Sequence, residues 1–174
     1  MTTGADRRHA PAHAAHDLIL EQHRELRRLL ALGLLHTYAL ASGRQSALAA
    51  LRALVGQIRT AFEAHLRDEE AALLPLFDDE RLGGSRRAQN LREDHARQRR
   101  EMETLDAQAE ASRAETFADQ FDHLARTLLA DIAEEEREVA VAVAILDDRA
   151  ALDWGITPIP IGSTAGATAG LHVR

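Results

Sequence analysis

The run that most constrains this chain is an apolar row broken by two ionisable side chains. Steps of three and four from Leu48 pick out Leu51, Val55, Ile58, Phe62, His65, Glu69, Ala72 and Leu76, the spacing of one buried helical face. His65 and Glu69 stand one turn apart on that face, where the pattern otherwise demands apolar groups. An unpaired carboxylate taken out of water costs on the order of several kcal/mol even after relaxation. Any fold of this stretch must therefore compensate Glu69. An internal His–Glu ion pair does so, and so does a metal ion held by the i, i+4 pair.

The same period recurs in three other stretches. From His16 the first predicted helix runs on Ile19, His23, Leu26, Leu30 and Thr37, with Arg24, Glu25, Arg27 and Arg28 off the stripe, and ends near Ser42-Gly43. The second starts from a Ser46 cap and continues to about Asp78, with Pro75 closing its last turn. Leu82-Gly83-Gly84-Ser85 reads as a turn and cap before a third helix on Ala88, Leu91, His95, Gln98, Met102, Leu105 and Ala109. Ser112-Arg113-Ala114-Glu115 matches a capping box, and the fourth helix follows on Phe117, Phe121, Leu124, Leu128, Asp131, Glu135, Glu138, Ala142 and Ile145, to about Asp148. The two halves echo each other: a lone seam histidine on the first helix of each (His23, His95), then an i, i+4 pair on the second (His65/Glu69, Asp131/Glu135).

Four long helices with short connections predict an all-α, antiparallel up-down-up-down four-helix bundle. Composition agrees, since the chain is 45% hydrophobic but only 3% aromatic, and Ala and Leu favour helix over sheet. At 174 residues one domain is expected: a flexible leader over 1–15, the bundle over 16–150 and an irregular tail over 151–174. Trp154, Ile156, Ile159 and Ile161 in that tail can dock back on the bundle, while His9, His13 and His16 read as solvated. A net charge of −7 argues against nucleic acid or an anionic membrane as partner. With no signal-peptide core and no run near the ~18 apolar residues of a membrane span, a cytoplasmic protein is expected. Without cysteine there is no disulfide, iron–sulfur cluster or thiol nucleophile, so any metal is held by N and O ligands.

The bundle interior would hold His23, His65, Glu69, His95, Asp131 and Glu135. Scattered salt bridges could satisfy them, but a shared metal site explains at once why every stripe is broken and why the breaks repeat. These residues resemble a known family, the hemerythrin-like (HHE cation-binding) domain, over about residues 16–148. The resemblance rests on Glu21-Gln22-His23-Arg24-Glu25-Leu26, on His65-x3-Glu69 with Glu70 and Leu74-Pro75, on Asp94-His95, and on Leu128 to Glu136. It implies two non-haem iron ions between the helices, held by one His from the first helix, a His-x3-Glu from the second, one His from the third and a His-x3-Glu from the fourth. Here the last pair is Asp131-x3-Glu135, so a carboxylate stands where the family has an imidazole. Oxygen carriers of the family also have a second His four residues after the third-helix ligand, a place taken here by Arg99, which argues against reversible oxygen carriage.

The added negative charge of Asp131 favours ferric over ferrous iron, and manganese or mixed occupancy as well. His123 lies about 100° off the Leu124 stripe and is read as surface or supporting, not as the missing ligand. Glu70, Glu134 and Glu138 are candidates for supporting the ligands from outside. The function expected is reaction with O2 or peroxide, catalase- or peroxidase-like, or binding of O2 or NO. The alternative is a metal-free or metal-storing structural bundle. Three clustered carboxylates should also repel one another as pH rises unless metal binds them.

Overall fold

The structure, a computed structural model, describes residues 6–75, Phe77 and 84–153. Four helices follow in order: α1 Asp6–Ala41, α2 Ala47–Leu73, α3 Gly84–Gln108 and α4 Ala114–Asp153. Among the described residues there is no strand, and no helix is long and apolar enough to cross a membrane.

α1 starts at Asp6, ten residues before the apolar period begins, so much of the segment expected as a leader is helical. Ala10, Ala12, Ala14 and Ala15 supply helix propensity there without supplying a periodic stripe. α4 likewise runs to Asp153, past the expected end near Asp148. Residues 1–5, Leu76, the Leu82-Gly83 part of the predicted turn and the tail from Trp154 lie outside the described residues, as do the side chains of Ala142 and Ile145.

α1 closes in a Schellman motif, with Arg44 N–H donating to the Ala39 carbonyl at 3.0 Å and Gly43 N–H to Leu40 at 2.9 Å. Gly43 takes the left-handed conformation this needs, φ 84°. Two expected caps differ. Ser46 precedes α2 but its side chain makes no capping bond, and α4 begins so that Arg113, not Ser112, stands directly before it. α2 ends at Leu73, two residues ahead of Pro75: Leu74 keeps helical angles, φ −57° and ψ −41°, and its N–H still donates to the Glu70 carbonyl, but Pro75 has no N–H with which to continue the ladder.

Residue numbers rise on one helix as they fall on its neighbour. Gln22 meets Asp68 across α1 and α2, and Arg27 meets Glu136 across α1 and α4. Arg59 and His95 pair with Asp106 and Glu70 across α2 and α3, and Arg87 and Gln98 pair with Glu138 and Asp131 across α3 and α4. The bundle is therefore antiparallel, with each helix beside the next and α4 returning to α1.

Two apolar clusters fill it. The larger includes Leu26, Leu30, Leu51, Val55, Ile58, Phe62, Leu66, Met102, Phe117, Phe121 and Leu128; the smaller holds Ile19, Leu73, Phe77, Ala88 and Val139. Each fully buried Leu or Phe contributes about 1.5–3 kcal/mol from leaving water. The inward polar residues gather where the two clusters meet: His23 after Ile19 and before Leu26, His65 and Glu69 on either side of Leu66 and ahead of Leu73, His95 and Gln98 between Ala88 and Met102, and the part-buried Glu135 between Ile132 and Val139. The result is a polar layer sandwiched across an apolar bundle.

Candidate metal centre

A layer of this kind is costly unless its members are compensated. His23, His65, Glu69 and His95 are all at most 1% exposed. His23 Nε2 lies 3.4 Å from Glu135 Oε2, and His65 Nε2 lies 3.9 Å from the same oxygen. Glu69 Oε2 lies 3.3 Å from both His65 Nε2 and His95 Nε2. The His23 and His65 rings meet edge to face with centroids 4.7 Å apart.

These contacts are close without being hydrogen bonds. His23 Nε2, His95 Nε2, Glu135 Oε2 and both Glu69 oxygens are buried with no hydrogen-bond partner. Native interiors satisfy nearly all such groups, so five orphaned atoms turned toward one another call for a cation. Two sets of three ligand atoms lie within 4.8 Å of one another: His23, His65 and Glu135, and Glu69, His95 and Glu135. Glu135 belongs to both. The donor set passes the test of fit: imidazole nitrogens and carboxylate oxygens suit a borderline-to-hard divalent or trivalent ion.

Around the layer stands an outer row. His95 Nδ1 lies 2.9 Å from Glu70 Oε1, which also accepts from Arg99 at 2.9 Å. His23 Nδ1 lies 3.3 Å from Glu136 Oε1, and Arg27 donates to Glu136 Oε2 at 2.8 Å. Electrostatics follow the contacts. Burial alone would raise the Glu135 carboxyl, but His23 and His65 outweigh it and hold it down at about 2. Burial would lower His95, but Glu69 and Glu70 outweigh it and hold its pKa above the ordinary value. Burial raises and His95 and Arg99 more than reverse it for Glu70, which sits below the usual range; Arg27 does the same for Glu136.

Of the six residues proposed from sequence, five meet in these two sets. Asp131 joins neither. It is half-buried, accepts from Gln98 Nε2 at 2.9 Å, and lines a cavity of about 500 Å3 together with Glu69, His95 and Glu135. The cause is a slip of the α4 seam. Its innermost row passes through Leu128, Ile132, Glu135 and Val139, leaving Asp131 at the margin. For the same reason Glu138, placed on the stripe by the sequence, is exposed and pairs with Arg87 at 2.6 Å. Glu134 is exposed on the cavity wall, and His123 is exposed on another face, away from both sets.

Sequence reasoning flagged Glu70 but missed Glu136, Arg27 and Arg99 as members of the outer row. The signal was there in the internal repeat: His-x3-Arg recurs at His23/Arg27 and His95/Arg99, and Glu-Glu recurs at 69–70 and 135–136.

No curated protein and no solved structure is significantly similar to this chain. The family model of the hemerythrin HHE cation-binding domain matches residues 14–143, which takes in α2, α3, most of α1 and α4, and every residue of both ligand sets. With its two His/Glu sets in a polar layer across the bundle, the chain belongs to the hemerythrin HHE cation-binding family.

Proposed function

We propose that this protein binds two non-haem iron ions and reacts with O2 or peroxide. The observation that carries the reading is the set of five buried, unpartnered nitrogen and oxygen atoms facing one another in the polar layer. His23, His65 and Glu135 would hold one ion and Glu69, His95 and Glu135 the other, with Asp131 added to the second set as its rim carboxylate. Three imidazoles and three carboxylates suit iron best, and manganese or a mixed pair as well. Bound iron would supply a Lewis acid and a change of valence.

The chain's own residues decide what reaches it. The cavity touches Glu69, His95 and Glu135 but neither His23 nor His65, so it gives a small molecule a route to the second set. Its wall carries Asp94, Asp131, Glu134 and Glu138 against Arg87 and Arg97, which favours neutral O2, peroxide or NO over anions. Asp131 Oδ2 accepts from the Gln98 amide, which holds this carboxylate on the cavity wall beside the second set.

Elemental analysis should find close to two irons per chain. Peroxide added in an oxygen electrode with stopped-flow detection then separates the activities. Catalytic O2 release means an enzyme, whereas a stoichiometric optical change with O2 or NO and no turnover means a binder or sensor. A fully folded protein that takes up no iron or manganese would replace this reading with a structural bundle.

A further inference from the structure

Two links of the same kind flank the polar layer. Arg27 holds Glu136 against His23 Nδ1, and Arg99 holds Glu70 against His95 Nδ1. Each arginine lies four residues after its histidine, and each outer carboxylate directly follows an inner one, Glu135 or Glu69. The links use different helix pairs, α1 with α4 and α3 with α2, so neither is a by-product of the other's packing.

A neutral imidazole carries its proton on either nitrogen, and the partner of one decides the role of the other. The carboxylate hydrogen-bonded at Nδ1, 2.9 Å away at His95 and 3.3 Å at His23, makes that nitrogen the donor and leaves Nε2 facing inward, where the Glu69 and Glu135 oxygens at 3.3 and 3.4 Å make no hydrogen bond to it. Glu70 and Glu136 are themselves metal-binding side chains one residue from an inner glutamate, and each is only about one-quarter exposed, at 27%. Left unheld, either could turn inward and compete for a cation. The guanidinium prevents this: Arg27 holds both Glu136 oxygens with its two Nη donors, and Arg99 holds Glu70 Oε1 with Nη1. Arg99 is tied further by Glu63, 3.5 Å from its Nε.

We propose that Arg27 and Arg99 are positioning residues: through Glu136 and Glu70 they fix His23 and His95 as Nδ1–H tautomers with Nε2 turned inward, and they keep both outer carboxylates out of the layer. The consequence for affinity rests on the cation-binding reading above; the consequence for the tautomers does not.

Arg99→Met and Arg27→Met, which keep an apolar stem and remove the fork, test it. In cation-free protein, at a pH high enough to make both rings neutral, long-range 1H–15N NMR should show His23 and His95 each as a single Nδ1–H tautomer. Arg99→Met should put His95 into tautomer exchange and leave His23 unchanged, and Arg27→Met should do the reverse. Titration of Mn(II) or Fe(II) against a competing chelator should show about 10–100-fold weaker binding of one equivalent in each variant, with partial recovery in Arg99→Lys and Arg27→Lys. Glu70→Gln and Glu136→Gln provide a second route to the same loosening if a methionine variant does not fold. A fixed His95 tautomer in both Arg99→Met and Glu70→Gln overturns the proposal. Should the wild-type protein bind no cation, the proposed function fails while the NMR result still decides the tautomer claim.

Discussion

His23 and His95 occupy matching places in the two halves of the bundle, yet their surroundings differ. His23 lies on α1, which packs closely on α2 and α4 and buries Ile19, Leu26, Leu29 and Leu30 around it. His95 lies on α3, which touches its neighbours sparsely and buries little that is apolar beyond Ala88, Met102 and Leu105. In place of apolar contact α3 presents arginines to its neighbours: Arg87 to Glu138 on α4, and Arg99 to Glu63 and Glu70 on α2. Exposed ion pairs are worth about 0–1 kcal/mol each, against about 1.5–3 kcal/mol for a buried Leu or Phe. One ligand kit has thus been built twice, once in a closed wall and once in the wall most easily opened. The cavity lies on the second.

The largest expected effect comes from the residue the two halves share. Glu135→Gln should lower cation content from two equivalents to none or nearly none, since Glu135 is a member of both sets, while circular dichroism stays helical. Retention of one tightly bound equivalent would mean that one half binds without it. Single changes should then split the halves. His23→Ala should weaken the closed position and spare the open one, and His95→Ala should do the opposite. Asp131→Ala should weaken the open position less than His95→Ala does, because Asp131 stands at the cavity margin. Asp131→His should bring the second set nearer the family's usual pattern and ease reduction, read as a shift in potential. Equal losses at both positions in these variants would erase the comparison.

Much of this was legible before any coordinates. The stripe residues Ile19, Leu26, Leu51, Val55, Ile58, Phe62, Met102, Leu105, Phe117 and Leu128 are buried as the period predicts, and His23, His65, Glu69 and His95 are buried among them. A strict 3.6-residue period is enough for that. It fails on α4, where small rotations accumulate over 40 residues and exchange Asp131 and Glu138 for Ile132 and Val139 on the inner row. It also cannot tell an exposed arginine from one that holds a carboxylate, because both lie off the apolar stripe. Arg27 and Arg99 needed distances. The extra turns of α1 before His16 escaped for a different reason, since propensity without periodicity leaves no stripe to read.

A smaller effect, and one that bears on both halves, is the pH dependence of the cation-free protein. Glu135 is held at about 2 against an ordinary 4.5, so its contribution is fully present above 4.5 and is lost as pH falls from there toward 2. His95 is raised above 6.5, so its contribution is present below 6.5 and is lost as pH rises through the raised value. Cation-free protein should therefore be most stable between about pH 5 and 6.5 by these two groups. The expected repulsion among carboxylates is muted, because imidazoles stand between Glu69 and Glu135. Bound cation needs deprotonated ligands, so loaded and cation-free melting temperatures should diverge as pH climbs past 6.5. A constant gap across that range would count against His95 as a ligand.

The smallest expected effects concern why one wall is closed. Gly33 on α1 faces the Phe121 ring of α4, and a Cβ there would overlap the ring. Gly56 on α2 has nothing within 4 Å of where its Cβ would stand. Both lie inside helices, where alanine is favoured over glycine by about 0.8–1 kcal/mol. For Gly56→Ala that preference should appear almost whole, as a rise in melting temperature. For Gly33→Ala it is set against overpacking of about 1–3 kcal/mol, so the sign should reverse. The ring must move, or α1 and α4 must part at this contact. α3 has no glycine after Gly84, at its first position. Thermal melts of the two variants side by side would check this. A Gly33→Ala protein as stable as Gly56→Ala would show that α1 and α4 are not held at contact distance, and the closed half would then owe its closure to side chains alone.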